Sequence, residues 1–213
     1  VVRRKDGTWE RFYTAPMVDG SVLDKILYDT VHNLIWFAGR ANKLFVCDDE
    51  GRMAWVDPNN GSKLETSTVT CLAQDHDGTI WIGTNKGLKI ISNAYQAFAN
   101  GGHGEKSPVT CSNITITNNA FAEYLMAYES ITCLAVDGAN RKWVGTSQGG
   151  LYLISHHGQD ELEHFSTANS PLFSNKILCL GVQPYTGELF IGTPYGTQSY
   201  RATATYAGSH AQD

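Results

Sequence analysis

Residues 69–90 read VTCLAQDHDGTIWIGTNKGLKI, and residues 131–153 read ITCLAVDGANRKWVGTSQGGLYL. They are two copies of one unit. A third copy, ILCLGVQPYTGELFIGTPYGTQSY at 177–200, has one extra residue in its first turn and Phe190 where the others carry Trp81 and Trp143. A fourth, degenerate copy, ILYDTVHNLIWFAGRANKLFV, occupies 26–46. The glycine closing each aromatic strand sets the register at Gly39, Gly83, Gly145 and Gly192, at intervals of 44, 62 and 47 residues. Two of these intervals fall in the ~40–50-residue range of one propeller blade.

Each copy reads as an antiparallel meander. Val69 to Ala73 is short and almost wholly apolar, as an inner strand packed on both faces must be. Asp75 to Gly78 supplies turn chemistry, with Asp137-Gly138 and Thr186-Gly187 in the same place. In Ile80-Trp81-Ile82-Gly83-Thr84 the large aromatic fills the wedge between blades and the glycine lets a neighbouring backbone approach. Leu88 to Ile91 is the third strand, and Leu162 to Phe165 shows the alternation of an exposed fourth. The expected fold class is therefore all-β: a β-propeller of four-stranded antiparallel blades, about four of them visible and part of a larger propeller. Residues 1–213 form one domain, with blade motifs near 26–46, 69–91, 131–155 and 177–201. The N-terminal DGTWERFYT reads as an outer strand of a further blade.

The 62-residue interval contains an insertion, residues 93–130. Its Gly101, Gly102 and Gly104 predict an exposed, mobile loop over 99–108, and Ala120 to Tyr128 predicts a short helix. Insertions in repeat proteins gather on one face, often the binding face. The candidate ligand- or partner-binding residues are accordingly Tyr95, Phe98, His103, Tyr124 and Tyr128, since exposed rings stack on sugars or anchor a partner. Phe121, Tyr124 and Tyr128 have the alternative reading of a buried helical stripe.

With 16 basic against 21 acidic residues and a net charge of −5, the chain lacks the basic footprint of a nucleic-acid binder. No apolar run reaches the ~18 residues of a membrane span. The five cysteines show no C-x-x-C spacing. Cys71, Cys133 and Cys179 recur at one place in the repeat, which predicts packed, unbridged thiols on inner strands. Asp75-His76-Asp77-Gly78 starts like a calcium loop but lacks its later ligands; it reads as a turn, as does Asp48-Asp49-Glu50. His156 and His157 would point to opposite faces if they lay on a strand, and they read as a solvated turn before Gly158, so no metal site is assigned. No G-x-S-x-G elbow occurs, and no catalytic residue or cofactor is assigned.

The pattern I/V-T-C-L-A-x-D, then W-I/V-G-T, then G-L resembles the two-component-regulator propeller repeats of Bacteroidetes surface and periplasmic proteins. AEYLMAYESITCLAVDGANRKW, HFSTANSPLFSN and GELFIGTPYGTQSYR are similar to the closing blades of PorZ-like proteins of the type IX secretion system. That resemblance implies a non-catalytic scaffold at the cell surface or in the periplasm. It would bind proteins of the secretion machinery and a surface glycan or anionic lipopolysaccharide. The same repeats also imply an alternative, the glycan-sensing periplasmic domain of a hybrid two-component regulator. A propeller lyase or hydrolase is a third reading. The tail ATATYAGSHAQD stops where the PorZ-like architecture would continue, which implies a segment of a longer protein.

Overall fold

The computed structural model describes residues 2–11, 23–39, 44–57, 68–118 and 121–201. A two-stranded hairpin, β1 (Val2–Arg3) and β2 (Trp9–Glu10), comes first. Arg4 ties it to the first blade by donating to the Asp49 carbonyl at 2.8 Å. That blade is the antiparallel meander β3 (Leu23–Asp29), β4 (Leu34–Gly39), β5 (Leu44–Cys47) and β6 (Met53–Val56). The second begins with β7 (Val69–Gln74), β8 (Ile80–Thr84) and β9 (Gly87–Ile91). After a 3-10 turn at Ala94–Gln96, β10 (His103–Lys106) crosses to the first blade and pairs parallel with β6, as a fifth strand. The chain then returns as β11 (Ser112–Asn113), which pairs with β9 and completes the second blade. A separate hairpin, β12 (Thr115–Asn118) and β13 (Phe121–Tyr124), precedes the third blade, β14 (Ile131–Val136), β15 (Lys142–Thr146), β16 (Leu151–Ile154) and β17 (Glu161–Phe165). Among the described residues the fourth has three strands, β18 (Cys179–Val182), β19 (Glu188–Thr193) and β20 (Gly196–Arg201). Residues 12–14 of the expected N-terminal strand, residues 40–43 of the first motif, Ala120 and the 202–213 tail lie outside the described residues.

One chemical device builds the first turn of every blade. Asp75 Oδ1 accepts the N–H groups of Asp77 and Thr79, each at 3.0 Å, and Asp137 does the same for Ala139 and Arg141. Asp29 accepts from Val31 and His32. Gln183 takes this place in the fourth blade through its side-chain oxygen, which accepts from Tyr185 and Thr186. Asp48 repeats the device in a later turn, accepting from Glu50 and Arg52. Such side-chain mimicry of backbone pairing is why Asp dominates these positions. It also commits Asp75 to the turn rather than to a calcium loop.

Blades pack by a knob and a hole. An added Cβ on Gly83 would lie 2.3 Å from Cys71 Sγ and 2.8 Å from Ile131 Cγ2 of the next blade. On Gly145 the corresponding distances are 2.4 Å to Cys133 Sγ and 2.7 Å to Ile177 Cγ2. Trp36, Trp81 and Trp143 are all buried in the clusters that join successive blades. In the first blade, Ala38 stands opposite Lys25 just as Gly83 stands opposite Cys71. The equivalent of Gly83 is thus Ala38, not the expected Gly39. Ala38 follows Trp36 by two places as Gly83 follows Trp81, and Gly39 falls at the place of Thr84, opposite Leu23 as Thr84 is opposite Val69.

Among the described residues the four sheets do not close a ring, and none of them covers the far face of the fourth blade. Phe190 is 44% exposed there, and a Cβ on Gly192 would meet within 4 Å only its own blade's Cys179. Of Cys71, Cys133 and Cys179, all expected to be buried, only Cys133 is; Cys71 is half-buried, and Cys179 is exposed, with no isoleucine against it among the described residues. All five cysteines are free. Burial pushes the thiols of Cys71 and Cys111 up to about 12 and those of Cys47 and Cys133 up to about 11. Those four thiols are protonated and inert at neutral pH. Maleimide labelling read by intact mass should therefore add one group to the folded protein, at Cys179, and five after denaturation. Rapid labelling of Cys133 before unfolding would contradict the packing described.

The insertion is more ordered than its composition implies. Glu105 accepts the N–H groups of Gly102 and His103 at 2.9 and 2.7 Å, and the Gly102 carbonyl accepts from Met53 N–H at 2.8 Å. These bonds draw the glycine-rich stretch into an edge strand in place of the expected mobile loop. The expected helix at 120–128 is absent as well. Phe121–Tyr124 pairs with Thr115–Asn118, and Met126 at φ 54° turns the chain back toward the third blade. β-branched Thr115, Ile116 and Thr117 favour a strand, and once they form one the hairpin partner follows.

Candidate functional site

The insertion creates two clefts, and the aromatic candidates divide between them. In the first, the 3-10 turn at Ala94–Gln96 is anchored by burial of Ala94 and Ala97 and by a 2.7 Å bond from Ser107 Oγ to the Ala97 carbonyl. Tyr95 is left 70% exposed. Together with Phe98 it borders a cleft of about 420 Å³, whose opposite wall carries His32 and Arg52 from first-blade turns. The Arg52 guanidinium lies over the Phe98 ring, 5.0 Å from its centroid.

The charges in this cleft are largely neutralised internally. Arg52 Nε donates to Asp48 at 2.6 Å and lies 3.6 Å from Glu50. Its pKa rises above the usual value, first through the Asp48 bond. His32 Nδ1 is 2.9 Å from Asp29. The cleft offers a ring to stack on and donors to hydrogen-bond with, and little excess positive potential for a free anion.

Tyr124 and Tyr128 border the second cleft, about 390 Å³, with Ile116, Met126, Glu123 and Glu129. Tyr128 is fully exposed at the apex of its turn, so it is not part of a buried stripe. Two carboxylates and no basic side chain line this surface. His103 sits exposed on the edge strand β10 and lines neither cleft. The residues missed from sequence are His32 and Arg52. The available signal was positional: both follow a buried turn aspartate, Asp29 or Asp48, by three or four residues.

A different constellation joins the second and third blades. Asp77, in the first turn of the second blade, meets His156 and His157 from the turn after β16. The two histidines lie in the expected turn before Gly158, because β16 ends at Ile154. In the turn beyond it strand alternation no longer applies, and the two rings stack at 4.0 Å with 18° between planes. Beneath them, Lys142 is buried and donates to the carbonyls of Asn140 and His156 at 2.8 and 2.6 Å. It also pairs with Asp75 at 2.9 Å. Among the described residues no helix is long and apolar enough to cross a membrane.

Residues 63–86 match the family model for the two component regulator propeller. No curated protein sequence matches the chain. Among solved structures, the chain is similar to PorZ, described as an essential bacterial surface component of the type-IX secretion system of Porphyromonas gingivalis. The identity is 22% over 96% of this chain and 29% of that one, with a TM-score of 0.81. It is also similar to the extracellular domain of the putative hybrid two component system BT3049 from B. thetaiotaomicron, at 20% identity over 85% of this chain and 21% of that one, TM-score 0.61. A third likeness is to the extracellular domain of the putative one component system BT4673 from the same organism, at 17% identity over 84% and 23%, TM-score 0.60. The chain thus spans under a third of each of these proteins. It carries a two-component-regulator propeller repeat and has the β-propeller fold seen in these surface and extracellular domains.

Proposed function

We propose that the chain is part of a non-catalytic propeller scaffold of the type IX secretion pathway, at the cell surface or in the periplasm, that binds a protein partner through the insertion clefts. The observation that carries this reading is the likeness to PorZ over 96% of the chain at TM-score 0.81, against 0.60 and 0.61 for the two-component ectodomains. The insertion lies inside that span. The site chemistry favours a protein partner over anionic lipopolysaccharide: one cleft has its arginine neutralised and the other is lined by carboxylates. Exposed tyrosines beside apolar side chains are the usual anchors of such contacts.

The test uses Tyr95→Ala, Tyr128→Ala and the double variant. Both rings are exposed, so thermal unfolding should stay within about 1 °C of the parent, as for surface changes generally. Association with purified type IX secretion components should weaken about 30-fold in the variant whose ring is a hot spot, a loss of roughly 2 kcal/mol. Undiminished association in the double variant defeats the proposal. Binding of a soluble glycan, lost in Tyr95→Ala and with no protein bound, would select the sensor reading instead. Deleting 101–105 is a poorer test, because it removes the Glu105 bonds that hold β10.

A further inference from the structure

We propose that Asp77, His156 and His157 form a binding site for one divalent transition-metal ion of the zinc or nickel class, bridging the second and third blades. One carboxylate oxygen and one ring nitrogen from each histidine lie within 4.8 Å of one another. Metal–ligand bonds of roughly 2 Å require ligand atoms about 3.3 Å apart in a tetrahedral site. Reaching this spacing needs the exposed His157 ring to turn out of its stack on His156 and the 2.5 Å contact between His156 Nε2 and Asp77 to open. Two imidazoles with a single carboxylate select a borderline transition ion over calcium or magnesium, which take oxygen donors.

The hydrogen bonding around His156 supplies the second argument. Asn140 has its amide orientation fixed, since its oxygen accepts the His76 N–H at 3.0 Å. Its NH₂ group therefore faces His156 Nε2 at 2.6 Å and Asp77 Oδ2 at 3.3 Å. The same Nε2 is 2.5 Å from Asp77 Oδ2. A protonated Nε2 opposes the amide N–H, and an unprotonated Nε2 opposes the carboxylate, so either state leaves one repulsive contact. A cation shared by His156 Nε2 and Asp77 removes the repulsion between the unprotonated ring and the carboxylate, and the Asn140 amide is then left to donate to Asp77 alone, from 3.3 Å.

Charge balance is compatible with this. Lys142 is neutralised by Asp75 at 2.9 Å and Arg141 by Asp137 at 2.8 Å, which leaves the Asp77 carboxylate facing two imidazoles. Lys142 also holds the His156 carbonyl at 2.6 Å, fixing the turn that presents both rings. Three protein ligands leave a coordination position for water or for a side chain of a bound partner.

The experiment titrates NiCl₂ and ZnCl₂ into tag-free, chelator-treated protein by calorimetry, with thermal unfolding as a second readout. One ion per chain should bind, saturating below roughly 1 mM, and should raise the unfolding midpoint because it binds only the folded arrangement. His157→Ala and Asp77→Asn alter exposed side chains, should fold as the parent does, and should each weaken binding at least tenfold. His103→Ala should change nothing. Absence of saturable binding by the parent overturns the proposal. So does binding that survives both His157→Ala and Asp77→Asn, or binding abolished by His103→Ala or His76→Ala while His157→Ala retains it.

Discussion

Gly145→Ala should lower the unfolding midpoint by about 6–12 °C, from an overpacking cost of about 3 kcal/mol at about 2–4 °C per kcal/mol for a chain of this size. The new methyl would sit 2.4 Å from Cys133 Sγ and 2.7 and 2.9 Å from Cγ2 and Cβ of Ile177. None of these can yield easily, because the sulfur is on the same blade's inner strand and the isoleucine is the buried first contact of the next. Gly192→Ala makes the same chemical change at the equivalent place. It should cost about 1 kcal/mol or less, since Cys179 Sγ at 2.4 Å belongs to an exposed residue free to turn away. The difference between the two variants isolates the interblade term from any intrinsic strand preference for glycine. Adding Cys133→Ala to Gly145→Ala removes the nearest clash and should recover part of the loss. Equal midpoints for Gly145→Ala and Gly192→Ala would show that the glycine is not kept for blade packing.

That interface explains what the sequence does and does not disclose. The Cys-Gly-Trp triplet of the second and third blades is legible because each member answers a demand of the interface: a small inner-strand residue, a hole and a wedge. A register set on glycine is misplaced by one in the first blade because Gly39 stands where the second blade has Thr84, while Trp36 and Ala38, two apart like Trp81 and Gly83, hold the true register. The insertion is misread for a different reason. Glycine composition reports the entropy of residues 99–108, whereas their structure follows from an edge strand of another blade and from the Glu105 carboxylate. Tyr95 and Phe98 are recognisable as aromatics of the insertion, the first exposed and the second half-buried against the core, yet Arg52 and His32 join them only through the crossing of the insertion to the first blade. Asp77 and His156 are separated by 79 residues, and no local pattern couples them.

Lys142→Ala should destabilise the protein by about 3–5 kcal/mol, the cost of removing one partner from a buried ion pair. The ammonium is 1% exposed, lies over the Trp81 ring at 4.5 Å from the centroid, and bonds Asp75 across the interface between the second and third blades. Burial opposes both charges. In Asp75 the bonds from Lys142 and Trp81 outweigh it, and the carboxyl lies below its usual pKa; in Lys142 burial outweighs the pairing, and the pKa is lowered. Lys142→Met should cost less than the alanine variant, because it keeps the apolar stem against Trp81. It leaves the buried carboxylate without its cation, which reverses the sign of the pH dependence. In the parent, a folded pKa below the unfolded ~3.9 means that the Asp75 contribution is complete above that value and is lost as pH falls through the depressed one. In Lys142→Met, burial acts against only the Trp81 and turn bonds, so the folded pKa lies above ~3.9 and protonation stabilises the fold as pH falls toward it. The gap in unfolding midpoint between parent and Lys142→Met should therefore be widest near neutrality and narrow toward pH 4. A gap that stays constant over that range would mean that Asp75 does not carry the charge assigned to it, and that Lys142 acts through packing on Trp81 alone.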